Sequence, residues 1–90
     1  MSSTPPYAQS PDVVGKDAGD DFVLVHLQTN KVYELNRTGA RLWQLIGEGL
    51  SPQEAEGVLT NEFDVDATVV HAEVETLVES LVAESLLIER

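Results

Sequence analysis

Phe22-Val23-Leu24-Val25-His26-Leu27-Gln28-Thr29-Asn30-Lys31-Val32-Tyr33-Glu34-Leu35-Asn36-Arg37-Thr38-Gly39-Ala40 constrains this chain more than any other stretch. Short runs of Val, Leu and Tyr flank Gln28-Thr29-Asn30, and a helical pattern begins directly afterwards. That combination reads as a β-hairpin feeding a helix N-terminus, with strands at about 21–27 and 31–35. A two-residue loop pairs Val25 with Glu34 and sets His26 beside Tyr33. A three-residue loop, Gln28 to Asn30, pairs Val25 with Tyr33, Val23 with Leu35 and Leu27 with Lys31. The second choice gathers Val23, Val25, Leu27, Tyr33 and Leu35 on one face, and hydrophobic matching sets register, so it is the expected one. His26 then stands beside Val32 on the face away from the core. Asn30 takes the left-handed position of a bulged turn, which Asn tolerates better than most residues.

Ahead of the hairpin, residues 1–10 are Ser, Thr, Pro and Gln with one Tyr, the composition of a flexible lead-in. Asp12-Val13-Val14-Gly15-Lys16 reads as a short first strand, with a turn at Asp17-Ala18-Gly19-Asp20. After the hairpin, Asn36 is a natural N-cap for a helix whose stripe is Ala40, Leu42, Trp43, Leu45 and Ile46. Gly47-Glu48-Gly49 stops it. Ser51-Pro52-Gln53-Glu54 is a capping box with proline at the first helical position. Ala55, Val58, Leu59 and Phe63 form that helix's buried side. Asp64 and Asp66 are turn and cap residues leading into the longest helix, about 67–84. Val70, Val74, Leu77, Val78 and Leu81 share one face of it, and Leu86-Leu87-Ile88 forms an apolar tail that docks on the core. Strands grouped before helices predict an α+β domain, a three-stranded antiparallel sheet followed by three helices, with a winged helix-turn-helix-like arrangement.

Charge removes several functions. Sixteen acidic against five basic residues give a formal net charge of −11. Nucleic-acid binding rests on Lys and Arg displacing counterions, and the helix that would enter a groove, about 67–84, has four Glu and no Lys, Arg, Asn or Gln. No nucleic-acid partner is expected. With no cysteine there is no disulfide, thiolate zinc site or cysteine nucleophile. The N-terminus lacks a signal pattern and no apolar run reaches membrane-spanning length, so a cytoplasmic location without membrane partners is expected.

Candidate chemistry is sparse. His26 reads as a surface or partly packed strand residue, and His71 with Glu75 lacks a third metal ligand nearby. Asp64 and Asp66 lack the glycine and terminal glutamate of a calcium loop. Serines 51, 80 and 85 have no histidine at motif spacing, and no glycine-rich phosphate loop occurs. Nothing supports an enzyme, a cofactor or a metal. A small acidic carrier protein needs a phosphopantetheine-accepting serine at a helix start. Glu79-Ser80-Leu81 and Glu84-Ser85-Leu86 both fall at the wrong end of the last helix.

The ordered set Leu27 to Ala40, with its apolar strand, polar turn, aromatic residue, Leu35-Asn36 and Thr38-Gly39-Ala40, resembles the PqqD-like family of RiPP recognition elements. The Gly47 to Glu54 link, Glu62-Phe63-Asp64-Val65, Glu73-Val74, Leu77, Leu81 and Leu86-Leu87 continue the resemblance over about residues 20–88. Departures are Asn30 at a turn glycine, Val32 at a frequent aromatic, Glu73 at a usual Asp, and Ser85 at a usual Gly. The last implies a less sharply terminated helix. Family members hold the leader segment of a ribosomally made precursor peptide for processing enzymes. The chain is most similar to free-standing recognition proteins of lasso-peptide clusters, which pair with a leader-cleaving protease. A PqqD-type peptide chaperone in pyrroloquinoline quinone biosynthesis is the alternative, and a small acidic carrier or adaptor a further one.

The resemblance implies that residues 11–90 form a single peptide-binding domain. Its implied mechanism is strand addition on an open edge at 31–35, with the long last helix as the other wall. The peptide-binding residues expected are Lys31, Val32, Tyr33, Glu34 and Leu35 from the strand, with Val70, Glu73, Val74 and Leu77 from the helix.

Overall fold

The computed structural model describes residues 6–89. Its elements are β1 (Tyr7–Gln9), β2 (Val13–Ala18), β3 (Asp21–His26), β4 (Val32–Leu35), α1 (Arg37–Gly47), α2 (Pro52–Phe63), α3 (Ala67–Ala83) and β5 (Leu87–Glu89). β2, β3 and β4 form a three-stranded antiparallel sheet in that order, and the three helices follow, as expected from sequence. A second, two-stranded sheet joins β1 to β5. Residues 7–9 are therefore a strand rather than a lead-in, and the reading of residues 1–5 as flexible lies outside the described residues. Among the described residues no helix is long and apolar enough to cross a membrane.

The hairpin register differs from expectation by one residue. Observed partners are Phe22 with Leu35, Val23 with Glu34, Leu24 with Tyr33 and Val25 with Val32. The loop is accordingly Leu27 to Asn30, closed by the Asn30 N–H donating to the His26 carbonyl at 2.8 Å. Asn30 is left-handed as expected, with φ 60°. Because side chains alternate with period two, the slip exchanges the faces of β3. Leu24 and His26 are buried, whereas Leu27 is 59 % exposed. Phe22-Val23-Leu24-Val25 is apolar on both parities, so alternation alone does not choose between them. The larger side chains win the interior. Gly15 on β2 makes room for them, since a Cβ there would come within 2.5 Å of the Phe22 ring.

His26, expected on the outer face, is buried and its Nδ1 accepts from the Gln28 N–H at 3.3 Å. β2 also runs on to Ala18, so the turn into β3 is only Gly19-Asp20, with Gly19 at φ +82°.

Helix ends follow the caps in the sequence. Asn36 Oδ1 accepts from the Gly39 N–H at 2.8 Å, and Ser51 and Glu54 complete their reciprocal box. Asp66 caps α3 through the Thr68 N–H, and Asp64 is left-handed at the end of α2. At the end of α3, Ser85 adopts φ 61°. Its N–H donates to the Val82 carbonyl and that of Leu86 to the Leu81 carbonyl, which is a complete Schellman motif. The helix thus ends sharply although serine stands in the glycine position, contrary to the looser end expected.

Leu24 and Leu35 from the sheet meet Leu42, Trp43, Leu45 and Ile46 of α1, Ala55 and Leu59 of α2, and Val70, Val74, Val78 and Leu81 of α3 in one core. Leu86 and Leu87 dock on it, as expected, while Ile88 is 45 % exposed. The Gln9 side chain donates to the Trp43 carbonyl at 2.8 Å and ties β1 to α1.

Candidate peptide-binding groove

The sheet order places β4 at an edge, with no strand on its far side among the described residues. The His26 N–H donates to the Lys31 carbonyl at 2.9 Å, and Leu24 lies opposite Tyr33. In an antiparallel ladder, bonding and non-bonding positions alternate, so Lys31, Tyr33 and Leu35 address β3. The N–H and C=O of Val32 and Glu34 therefore point away from the sheet, unpaired within it.

Beside that edge a groove of 490 Å³ runs between β4 and α3. Tyr33, Glu34 and Leu35 line it from the strand, and Glu73, Val74 and Leu77 from the helix. A smaller recess of 280 Å³ continues past Tyr33 to Lys31, Val32, Glu84 and Leu86. Eight of the nine residues expected from sequence thus border the edge groove or its extension. Val70 does not: it is 1 % exposed in the core and lines neither. Val32 is 62 % exposed, and its side chain shares the outer sheet face with Val25 and Val14.

Several groove residues escape the sequence reading. Asn36, Thr38, Gly39 and Leu42 line it from the start of α1, and Ala72, Thr76 and Ser80 from α3. The last three recur every fourth residue, which places a row of small side chains on one helix face. That row keeps the helix wall low opposite the strand.

The groove mixes the apolar Leu35, Leu42, Val74 and Leu77 with polar side chains such as Thr38, Thr76 and Ser80, and its carboxylates are Glu34 and Glu73. Lys31 bridges to Glu84 at 3.3 Å across the smaller recess, and both side chains are well exposed, so the pair adds little stability. Outside the groove, Arg41 forms a bidentate pair with Glu62 at 2.8 Å, linking α1 to α2. The hydrogen bond between them raises the Arg41 pKa and lowers that of Glu62. Arg37 stacks 5.7 Å from the Phe63 ring centroid. His71 on α3 contacts Glu56 on α2 at 2.9 Å and Glu75 at 3.5 Å, and its pKa is raised, first by the Glu56 hydrogen bond. Among the described residues, no group of three or more His, Asp or Glu is placed to hold a metal ion.

One protein-family model, Coenzyme PQQ synthesis protein D (PqqD), matches residues 21–87. The chain belongs to the PqqD family. Two solved structures resemble this PqqD-family protein over most of its length. TbiB1, solved in complex with the TbiA(beta) leader peptide, is 32 % identical with a TM-score of 0.79, covering 89 % of this chain and 93 % of its own. A lasso peptide synthetase B1, complexed with the leader peptide, is 24 % identical with a TM-score of 0.81, covering 92 % of this chain and 98 % of its own. The second likeness is one of fold. Among curated proteins none matches the chain.

Proposed function

We propose that this PqqD-family protein binds the leader segment of a ribosomally made precursor peptide by strand addition and presents it to a processing enzyme, a leader peptidase, in lasso-peptide-type biosynthesis. The observation that carries this reading is the open β4 edge, with the main chain of Val32 and Glu34 turned outward beside a groove lined by Leu35, Leu42 and Leu77. An extended peptide lying there gains main-chain hydrogen bonds to β4, while its alternate side chains descend toward the helix wall. Main-chain pairing is indifferent to sequence, so the pockets supply the selectivity. Affinity comes chiefly from apolar anchors, each worth roughly 1.5–3 kcal/mol when fully buried. The carboxylates of Glu34 and Glu73 favour a basic residue nearby and set orientation and on-rate more than affinity.

Presentation to an enzyme is supported by the opposite face of the sheet. Val14, Val25 and Val32 form a row across it, with Val14 48 % and Val32 62 % exposed. A peptide added to β4 extends that row, so an enzyme docking there meets sheet and leader together. The protein itself supplies positioning and no chemistry in this reading.

Likeness to TbiB1, solved with a leader peptide, supports the leader-binding part of this reading, and the resemblance carried by Leu27 to Ala40 supports its lasso-peptide setting. The test uses the leader of a short precursor encoded beside protease and cyclase genes. Fluorescence anisotropy should show saturable binding, and adding this protein should accelerate leader cleavage by the neighbouring protease. A leader that fails to bind contradicts the reading. Tight binding with an unchanged cleavage rate contradicts presentation alone.

A further inference from the structure

The 280 Å³ recess at the Lys31 end of the groove differs from the rest of it in charge. Among the described residues that line groove and recess, the carboxylates are Glu34, Glu73 and Glu84, and Lys31 is the one cation. Lys31 directly precedes β4 and is already in ladder register, because its carbonyl accepts from the His26 N–H at 2.9 Å. Its side chain leaves the strand on the α3 side and meets Glu84 at 3.3 Å. The two side chains are 69 % and 40 % exposed, so burial does not commit either to the other. A strand added antiparallel to β4 pairs through Val32 and Glu34, which sets one of its residues opposite Lys31 in a non-hydrogen-bonded pair. Facing side chains stand closest in such pairs, and both lie on the same face of the sheet, here the face toward the recess. An acidic side chain at that position gains Lys31 as a partner, and a basic one meets like charge.

We propose that this recess is a charge-reading subsite: Lys31 exchanges Glu84 for a carboxylate of the bound peptide, so that Asp or Glu is selected at the position opposite Lys31. The proposal rests on the leader-binding reading above and adds to it an acidic preference, opposite in sign to the basic residue favoured near Glu34 and Glu73. α3 runs against β4, with Glu84 beside Lys31 and Leu77 beside Leu35, so Lys31 and Glu73 lie toward opposite ends of the groove. That polarity selects the direction of the bound strand as well as its composition. The pair could instead serve the fold alone, since α3 has no basic residue in its last turn and Lys31 supplies a cation at that helix end. In that case loss of either partner has the same effect on binding. A reading subsite requires opposite effects, because Glu84 competes with the peptide for Lys31.

The experiment pans a display library of random peptides against the wild-type protein, Lys31→Gln, Glu84→Gln and the reversed pair Lys31→Glu with Glu84→Lys. Thermal unfolding of all four and fluorescence anisotropy with wild-type-selected peptides accompany it. Wild type should enrich Asp or Glu at one fixed position. For a peptide so selected, Lys31→Gln should lose roughly two- to fivefold in affinity and Glu84→Gln should gain about twofold, both differences shrinking at about 1 M salt. The reversed pair should enrich Lys or Arg at the same position. Effects of the same sign in the two single variants overturn the proposal, as does an acidic preference that is absent from wild type or survives Lys31→Gln. A loss with Glu84→Gln and a gain with Lys31→Gln would make Glu84 the reader of a basic side chain, and overturns it too. Should Lys31→Gln not fold, unchanged affinity of Glu84→Gln overturns it. Peptides enriched without any charge preference leave the leader-binding reading standing and remove this subsite. A wild-type protein that enriches no peptide overturns that reading, and this assignment with it.

Discussion

Replacing Glu34 with proline separates the open edge of β4 from the rest of the fold. The Glu34 N–H points away from β3, so proline there removes no ladder bond, whereas Tyr33 lies opposite Leu24 at a bonding position. Glu34→Pro should therefore remain folded, and Tyr33→Pro should lose a ladder bond and much of the domain's stability. For binding the ranking reverses. Val32 and Glu34 offer an incoming strand two N–H and two C=O groups, each hydrogen bond worth about 0.5–1.5 kcal/mol net. Proline at 34 deletes one donor and leaves the peptide carbonyl that met it unpaired beside the groove, at a further cost of about 1–3 kcal/mol. A total near 2–3 kcal/mol corresponds to a loss of roughly 30- to 150-fold in affinity. Circular dichroism with fluorescence anisotropy on a leader peptide reads both quantities. Val32→Pro should behave in the same way. If both variants are folded and bind as wild type does, strand addition occurs at another edge.

Other outcomes follow from the same geometry. Ser85→Gly should raise stability by about 1 kcal/mol by relieving a left-handed non-glycine residue, seen as roughly 4–8 °C in thermal unfolding; an unchanged or lower midpoint contradicts the strain. The raised pKa of His71, facing Glu56 from α2 and Glu75 from its own helix, means its contribution is complete below the ordinary 6.5 and fades as pH rises through the folded value. The unfolding midpoints of wild type and His71→Gln should thus differ most near about pH 5.5 and converge by about pH 8.5; divergence at high pH reverses the sign. Glu73→Gln should weaken leader binding by under about 1 kcal/mol, or about fivefold, since an exposed charge at the rim adds little. A larger loss there than with Glu34→Pro would make the groove an electrostatic site. Val74→Glu is no substitute for that comparison, because Val74 is 2 % exposed and a carboxylate there would disrupt the core.

Helices were readable because their ends carry chemistry of their own. Asn36, the Ser51 to Glu54 box and Asp66 all cap as their side chains dictate, independently of tertiary contacts. The hairpin register was not, because β3 is apolar on both faces. Its choice depends on the Phe22 ring finding room over Gly15, a contact between strands that no single strand reveals. β1 and β5 are three residues each and pair across the whole chain, too short for any periodicity. The edge and the wall of the groove follow from the hairpin and the long helix. Its floor does not, since it depends on which leucines α1 turns toward α3. Two signals for it were nonetheless present: a glycine inside a helix start, and Ala72, Thr76 and Ser80 in one row.

Amide hydrogen exchange on β4, with and without a leader peptide, tests strand addition most directly. Tyr33 and Leu35 sit at ladder positions facing β3, while Val32 and Glu34 face outward. Saturating peptide should slow exchange sharply at Val32 and Glu34 and leave Tyr33 and Leu35 as protected as before. Bound peptide with Val32 and Glu34 still exchanging freely, and new protection appearing on β2 instead, would contradict the account.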